Sequence, residues 1–496
     1  MKKLFTFVLS LSVMAMTYAA DYTATQAGNW ADATTWGGAG IPGANDNVST
    51  AGFEITISAD AACANLTYAN SNAQLTIGDG ITLTVNGVIN SSPALVAGSN
   101  PFSTMHANGI VKLTGATLGA SDVNLIMDQA VNATTSNSIC TKINNLIIAG
   151  ADPNKTYKFG QTNRNYIHGT GYFKIMGGTK IDLENIMQLG SVVDNNFIVE
   201  EGATVVAKQN VKGSGGNASK ITTVTINGSL ICNSGLNAST IAIGNNGYFK
   251  TLRNKATNDD ATLTGWWAAT GTPGSTLTNY GIPTTVTIGT NGVVEFAGGA
   301  TQYLPGVIPG TSTTIPYVNI VVSGTTTKNV QSALTATGTV LNFGTLAGSA
   351  VTCSNIINVS SADITKGTVS GSIVASNVSL VATALSGNSF VNWTEGVNEI
   401  SNLATYTFTA SGSKTMVGNF SVSTSLEKVE NENFFTVKGN VININKNVNS
   451  IEVYNLQGKL INALNNVTSL TVENQGVYIL KMKTSTGIRT QKVIVK

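Results

Sequence analysis

The amino-acid sequence predicts an all-β protein, and three observations carry that expectation. Only 10% of its 496 residues are charged, against about 25% in an ordinary soluble domain. Charge-laced coiled coils and charge-driven disorder are thereby excluded. The polar half of the chain is Ser, Thr, Asn and 52 glycines, while β-branched Thr, Val and Ile recur throughout and suit a pleated, half-buried surface. Finally, one phrase returns along the chain: apolar-x-apolar, a short glycine turn, then a second alternating strand.

At roughly 100 to 200 residues per domain, this length suits two to four domains with sizeable cores. The 27 basic residues nearly balance the 25 acidic ones, for a formal charge of +2. Such a sum predicts no long-range field for gathering nucleic acid or acidic lipid, and no nucleic-acid partner is expected. With His106 and His168 as the only histidines, His-rich metal sites and most Ser/His/Asp or Cys/His machinery are not expected either. The expectation is therefore no cofactor, no metal and no catalytic residue.

The chain opens with Lys2 and Lys3, an apolar run from Leu4 to Met16, and the small residues Thr17, Ala19 and Ala20. Basic, apolar and small-residue regions in that order form a signal-peptide pattern, so residues 1–20 are expected to be removed and the mature chain to start near Asp21. A transmembrane anchor needs about 20 apolar residues; this run is shorter, and no anchor is expected. Cys63, Cys140, Cys232 and Cys353 are widely spread. Four cysteines allow three pairings, but the absence of any CxxC spacing favours unpaired, buried thiols over staples or zinc.

Residues 21–360 carry the recurring phrase: Leu75 to Val85 through Asp79-Gly80, Phe197 to Val205 through Gly202, Ile241 to Phe249 through Asn246-Gly247, and Val286 to Phe296 through Asn291-Gly292. Asn-Gly and Asp-Gly pairs mark tight turns because glycine supplies positive φ. Each phrase alone reads as a hairpin. The intervals of 44 residues from Phe197 to Ile241 and 45 from Ile241 to Val286 instead suggest two coils of about 22 residues each, within the range of solenoid repeats. The expected fold here is a right-handed parallel β-helix, in which each rung satisfies the backbone edge and apolar face of the one before. This region resembles the extracellular β-helix proteins common among Bacteroidota. Spacing is irregular from 86 to 196, where an insertion is expected, and a string of β-sandwiches is the alternative. Trp30 and Trp36 precede the first coil and suit either an end cap or a sugar-stacking surface.

A small β-rich repeat is expected over 361–424. The phrases Phe390-Val391-Asn392-Trp393 and Val417-Gly418-Asn419-Phe420 resemble the internalin-type B repeat, with Gly418 where that repeat usually has alanine. Phe390, Trp393, Tyr406, Phe408 and Phe420 are expected to form its own small core. The resemblance implies a spacer or adhesive module.

Residues 425–496 hold five alternating strands around Tyr454-Asn455-Leu456-Gln457-Gly458, Gly476-Val477-Tyr478 and a final strand from Lys492 to Lys496. These motifs resemble the C-terminal sorting domain of type IX secretion, without the Pro-Asn-Pro phrase that often opens it. The resemblance implies a C-terminal β-sandwich sorting domain, type IX secretion machinery as partner, passage through the periplasm and across the outer membrane, and release or attachment to surface polysaccharide. Tyr454, Asn455, Gly458, Gly476, Val477, Tyr478, Lys492 and Lys496 are the matching motif residues. A free-standing Ig-like module is the alternative.

Candidate chemistry is sparse. In Lys180-Ile181-Asp182-Leu183-Glu184 strand alternation puts the three charged residues on one face. Such a row suits acid–base work on a polysaccharide, and equally a solvated strand face. Asp259-Asp260 lacks the spaced acids of a calcium coil. Tyr157, Tyr166, Trp266 and Trp267 are the candidate ligand-binding residues, since aromatic faces stack on pyranose rings. Arg164 and His168 flank Tyr166. The expected function is a secreted cell-surface binding or scaffold protein acting in adhesion or contact with surface, host or environmental glycans; the alternative is a β-helix polysaccharide lyase or glycoside hydrolase.

Overall fold

In the computed structural model the chain is almost all β, with 59% of it in strands. The one helical element among the described residues is the 3-10 turn Ala33–Trp36. The structure describes residues 19–69, 75–92, 102–114, 116, 122–125, 139–159, 165–167, 171–184, 187–189, 195–213, 221–252, 283–298, 302–308, 311–324, 326–423, 434–445, 448–484 and 487–496. Two compact units divide it, Met1–Val422 and Ser423–Lys496.

In the first unit, every strand pairing from Asp21–Thr23 to Asn355–Ser361 is parallel, and the strands assemble chiefly into one 15-stranded and one 13-stranded sheet. The strand-turn-strand phrases are not hairpins. Leu75–Ile77 and Thr82–Val85 do not pair with each other; each pairs in parallel with strands before and after it in the chain. Both belong to the 15-stranded sheet, where they pair with successive parts of the one strand Phe102–Leu113.

Register corrects one reading of the intervals. Phe197 pairs with Val224 and Val224 with Ile241, so the first interval is two steps. Ile241 pairs directly with Val286, and Phe249 with Val294, so the second interval is a single step. The excess chain between Leu252 and Pro283 falls within one layer, at 253–282, outside the described residues. The irregular stretch does not break the stack either: Phe102–Leu113 pairs with Ile139–Ile148, and that strand with Tyr172–Ile175, through register shifts in the first of them.

Inward positions alternate as the sequence suggests. Ile181 and Leu183 are buried, and one cluster runs from Ala24 to Val340. Within it Phe159, Phe173 and Phe197 stack at 5.9 and 5.4 Å between ring centres. Stacking follows from parallel register, which sets like residues one above another; each buried ring contributes roughly 1.5 to 3 kcal/mol. Cys63 and Cys232 are free and buried in this interior, where burial pushes both thiols up to about 12. Cys353 is free and half-buried, and the Cys140 side chain lies outside the described residues.

Near its start, Trp30 and Trp36 are 3% and 2% exposed and meet edge to face at 5.3 Å, with Trp36 Nε1 donating to the Trp30 carbonyl at 2.8 Å. Asp32 caps the 3-10 turn by accepting the Thr34 N–H, an interaction that lowers its carboxyl pKa. Both indoles are thus used up in packing and offer no sugar-stacking face.

The segment after the parallel strands packs differently from expectation. Gly367–Val374, Asn377–Ala384 and Thr405–Thr409 form an antiparallel sheet, while Lys414–Val422 pairs with Asn355–Ser361 and so extends the 13-stranded sheet. Outward-facing Val293, Val321, Leu341 and Ile357 of that sheet share one cluster with Ile373, Val378, Leu380, Trp393 and Phe420. Phe390, Tyr406 and Phe408 are only partly buried against it. The aromatic residues therefore do not make a private core. A three-stranded sheet with one apolar face needs a second apolar face to cover it, and outward Val293, Val321, Leu341 and Ile357 of the 13-stranded sheet supply it.

The second unit is two antiparallel sheets around one cluster. Phe435–Lys438, Val441–Ile444 and Ser469–Thr471 form one. Leu460–Asn465, Ser450–Asn455, Gly476–Thr484 and Gly487–Val495 form the other. Ile442, Ile451, Val453, Leu480 and Met482 are fully buried between them. In the turn after Tyr454, Asn455 Oδ1 accepts the N–H groups of Gln457 and Lys459 at 3.0 and 2.9 Å, and Gly458 takes φ +79°. Asparagine and glycine are both required there, one for the side-chain turn and one for the left-handed backbone. Tyr478 donates from its hydroxyl to the Asn474 carbonyl at 2.7 Å.

Candidate functional site

The outward face of the 13-stranded sheet carries ionisable side chains in aligned positions. Its rungs are in register, so Asp182, Val206, Ile231, Lys250 and Glu295 form one column and Lys180, Thr204, Ser229, Tyr248 and Val293 the next. Two charged clusters lie on this face.

The first contains the row read from the sequence. Lys208 Nζ, one layer on, bridges Asp182 at 3.0 Å and Glu184 at 2.8 Å. Its hydrogen bond to Glu184, together with Asp182, raises the Lys208 pKa. A lysine general base must shed its proton near neutral pH; these carboxylates hold the proton on. Lys180 is exposed and stands outside the bridge.

Sequence reasoning missed the second cluster. Glu295 is 6% exposed. Its Oε1 accepts from Lys250 at 2.8 Å and Ser323 at 2.6 Å, and its Oε2 accepts the Tyr248 hydroxyl. Burial, followed by the Glu295 charge, pushes the Tyr248 pKa above its ordinary range. A buried carboxylate must be paired and hydrogen-bonded, and here both oxygens are. The signal was present in the 45-residue interval, which sets Lys250 opposite Glu295, but it is visible only once that interval is read as one layer.

The two clusters do not converge. Asp182 and Glu295 lie four layers apart in one column, about 19 Å at the usual strand spacing. Paired glycosidase carboxylates stand about 5 to 10 Å apart. Between them the face is Val206, Ile231, Thr204 and Ser229. On the other large sheet, Lys174 pairs with Glu200 at 3.2 Å and lies over the Tyr172 ring. Among the described residues no group of His, Cys, Asp and Glu is placed to hold a metal ion.

The aromatic candidates fare unequally. Tyr157 is fully buried, its ring close against Gly150 and its hydroxyl accepting the Asp152 N–H at 2.9 Å. It packs the core and cannot stack on a sugar; the sequence placed it beside a loop, and pairing of Thr156–Phe159 with Lys180–Leu183 sets it in the inward column beside Ile181. Tyr166 sits on Asn165–Ile167, between Ile139–Ile148 and Met187–Leu189, with its side chain outside the described residues. Trp266, Trp267, Asp259, Asp260, Arg164 and His168 also lie outside them.

Compared with known proteins, the chain matches no protein-family model, no curated protein and no solved structure.

Proposed function

We propose that this chain is a secreted, surface-displayed binding or scaffold protein whose first unit is a right-handed parallel β-helix, with the internalin-like segment as its cover and the second unit a type IX sorting β-sandwich. The observation that carries this reading is the layered face itself. Parallel layers stack in register while their outward columns set Thr, Ser, Val and Ile between charged groups whose carboxylates are already engaged by lysines, serine and tyrosine. Such a surface offers repeated hydroxyl and apolar contacts to an extended partner and asks no proton transfer of it. A surface, host or environmental polysaccharide is the partner of matching form.

The sorting role rests on the turn chemistry of Asn455 and Gly458 and on the terminal strand pair Gly476–Thr484 and Gly487–Val495. Export through the periplasm and outer membrane by the type IX machinery follows from that resemblance. Among the described residues no helix is long and apolar enough to cross a membrane.

The deciding experiment is to present the mature protein to a glycan panel and read both retention and chain cleavage. Retention without cleavage supports the binding reading. Cleavage lost on Asp182→Asn with Glu184→Gln would establish a lyase or hydrolase instead, the reading favoured by the approach of Asp182, Glu184 and Lys208. Trp266→Ala with Trp267→Ala is expected to weaken retention.

A further inference from the structure

The formal charge of +2 is the sum of two unlike parts. From Ser423 to Lys496 there are nine basic and five acidic residues, a net of +4, which leaves −2 for the rest of the chain, and three of those five acids precede Phe434. The basic excess of the second unit lies after Phe434, where eight basic residues face two acids, and the four-stranded sheet shows where that charge is displayed.

Alternation divides this sheet cleanly. Ile451, Val453, Tyr478, Leu480, Met482, Val493 and Val495 face the cluster. On the opposite face lie Ile479, Lys481 and Lys483 of one strand and Ile488, Lys492 and Ile494 of its neighbour. Cross-strand register interleaves them: Ile479 stands opposite Lys492, Lys483 opposite Ile488, and Val477 opposite Ile494. Ile488 is 62% and Ile494 52% exposed, and Leu460, opposite Tyr454 on the next strand pair, is 49% exposed. The acid on this face, Glu452, is held by the Tyr454 hydroxyl and Lys481. Neither Lys483 nor Lys492 makes an ion pair among the described residues.

We infer that this outward face docks on an anionic lipid bilayer. The pattern selects that partner. A soluble polyanion would satisfy the lysines and leave the isoleucines in water, and an apolar protein surface would cover the isoleucines at the cost of burying ammonium groups. At a bilayer surface, aliphatic side chains enter the headgroup boundary while lysine stems lie along them and the ammonium groups reach the phosphates. Isoleucine and lysine in adjacent cross-strand positions meet both demands at once. This inference does not depend on the export route or on glycan binding.

The test is co-sedimentation of the full chain with vesicles of phosphatidylcholine alone and of phosphatidylcholine mixed with phosphatidylglycerol. Retention is expected only on the mixed vesicles, falling as salt is raised. Lys483→Gln and Lys492→Gln should each weaken partitioning roughly fivefold. Ile488→Ser with Ile494→Ser should weaken it at unchanged charge, and Lys483→Arg with Lys492→Arg should preserve it. All substituted side chains are exposed, and a thermal melt of each variant confirms folding. No retention on the mixed vesicles, retention indifferent to both sets of changes, or equal retention on soluble polyglutamate with no effect of the isoleucine changes would each overturn the inference.

Discussion

Ile241 stands in direct register with Val286, 45 residues further along the chain, each fully or nearly buried in the same column. One layer of the stack therefore contains more than twice the chain of the layer before it, where Val224 meets Ile241. Contact between these two layers is set by backbone register and by inward side chains such as Ile241 and Val286. Register between neighbouring layers is therefore kept although the chain length from one layer to the next more than doubles.

Glycines at the corners of these layers serve two separate purposes, and substitution should tell them apart. A Cβ at Gly247 would lie 2.0 Å from the Ile226 carbonyl of the layer below, whereas Gly80 has open space but φ +72°. Gly80→Ala is expected to cost about 1 kcal/mol, the left-handed penalty. Gly247→Ala should cost more than about 2 kcal/mol, because two backbones must separate. Chemical denaturation of the two variants measures the difference.

Leu341, fully buried on the outward face, belongs to the cluster that attaches the three-stranded cover. Leu341→Ala should destabilise by about 2 to 5 kcal/mol. Amide exchange should also rise in Gly367–Val374, which packs against that face, and not in the inward column of Phe173. Equal acceleration in both places would contradict attachment of the cover through this cluster.

Tyr248 links stability to alkaline pH. Its folded pKa is raised above the ordinary 10.0 by burial and by Glu295, so the folded state holds the proton more tightly than the unfolded chain. The resulting stability is fully present below about pH 10 and declines as pH rises beyond it. Tyr248→Phe should remove that part of the decline. Melting temperatures followed from pH 8 to 11.5 in both proteins provide the check.

The Lys208 bridge is solvent-facing, with the lysine side chain 38% exposed. Asp182→Asn with Glu184→Gln should change stability by no more than about 1 kcal/mol and leave glycan retention intact. Loss of retention would move the binding surface to this row.

Removing Gly476 to Lys496 deletes two of the four strands in the second unit's larger sheet. Under the sorting proposal the truncated chain should accumulate in the periplasm, read by fractionation and immunoblotting. Undiminished surface display would refute that proposal.

Composition and alternation by themselves determined that the chain is all-β and that Ile181 and Leu183 point inward, since these depend on local backbone preference and a period of two. Tertiary structure decided the rest. Whether Leu75–Ile77 folds back on Thr82–Val85 or lies beside it against other strands depends on partners further along the chain. Tyr157 goes to the core by the same long-range register. Val293, Val321 and Leu341 look like exposed alternate positions of their strands, yet they are buried because a later sheet lies over them. Glu295 acquires Lys250, Tyr248 and Ser323 only when three layers close. Burial and pairing energies arise from neighbours in space, and in a stacked parallel sheet those neighbours are a whole layer away in sequence, by a distance that varies from one layer to the next.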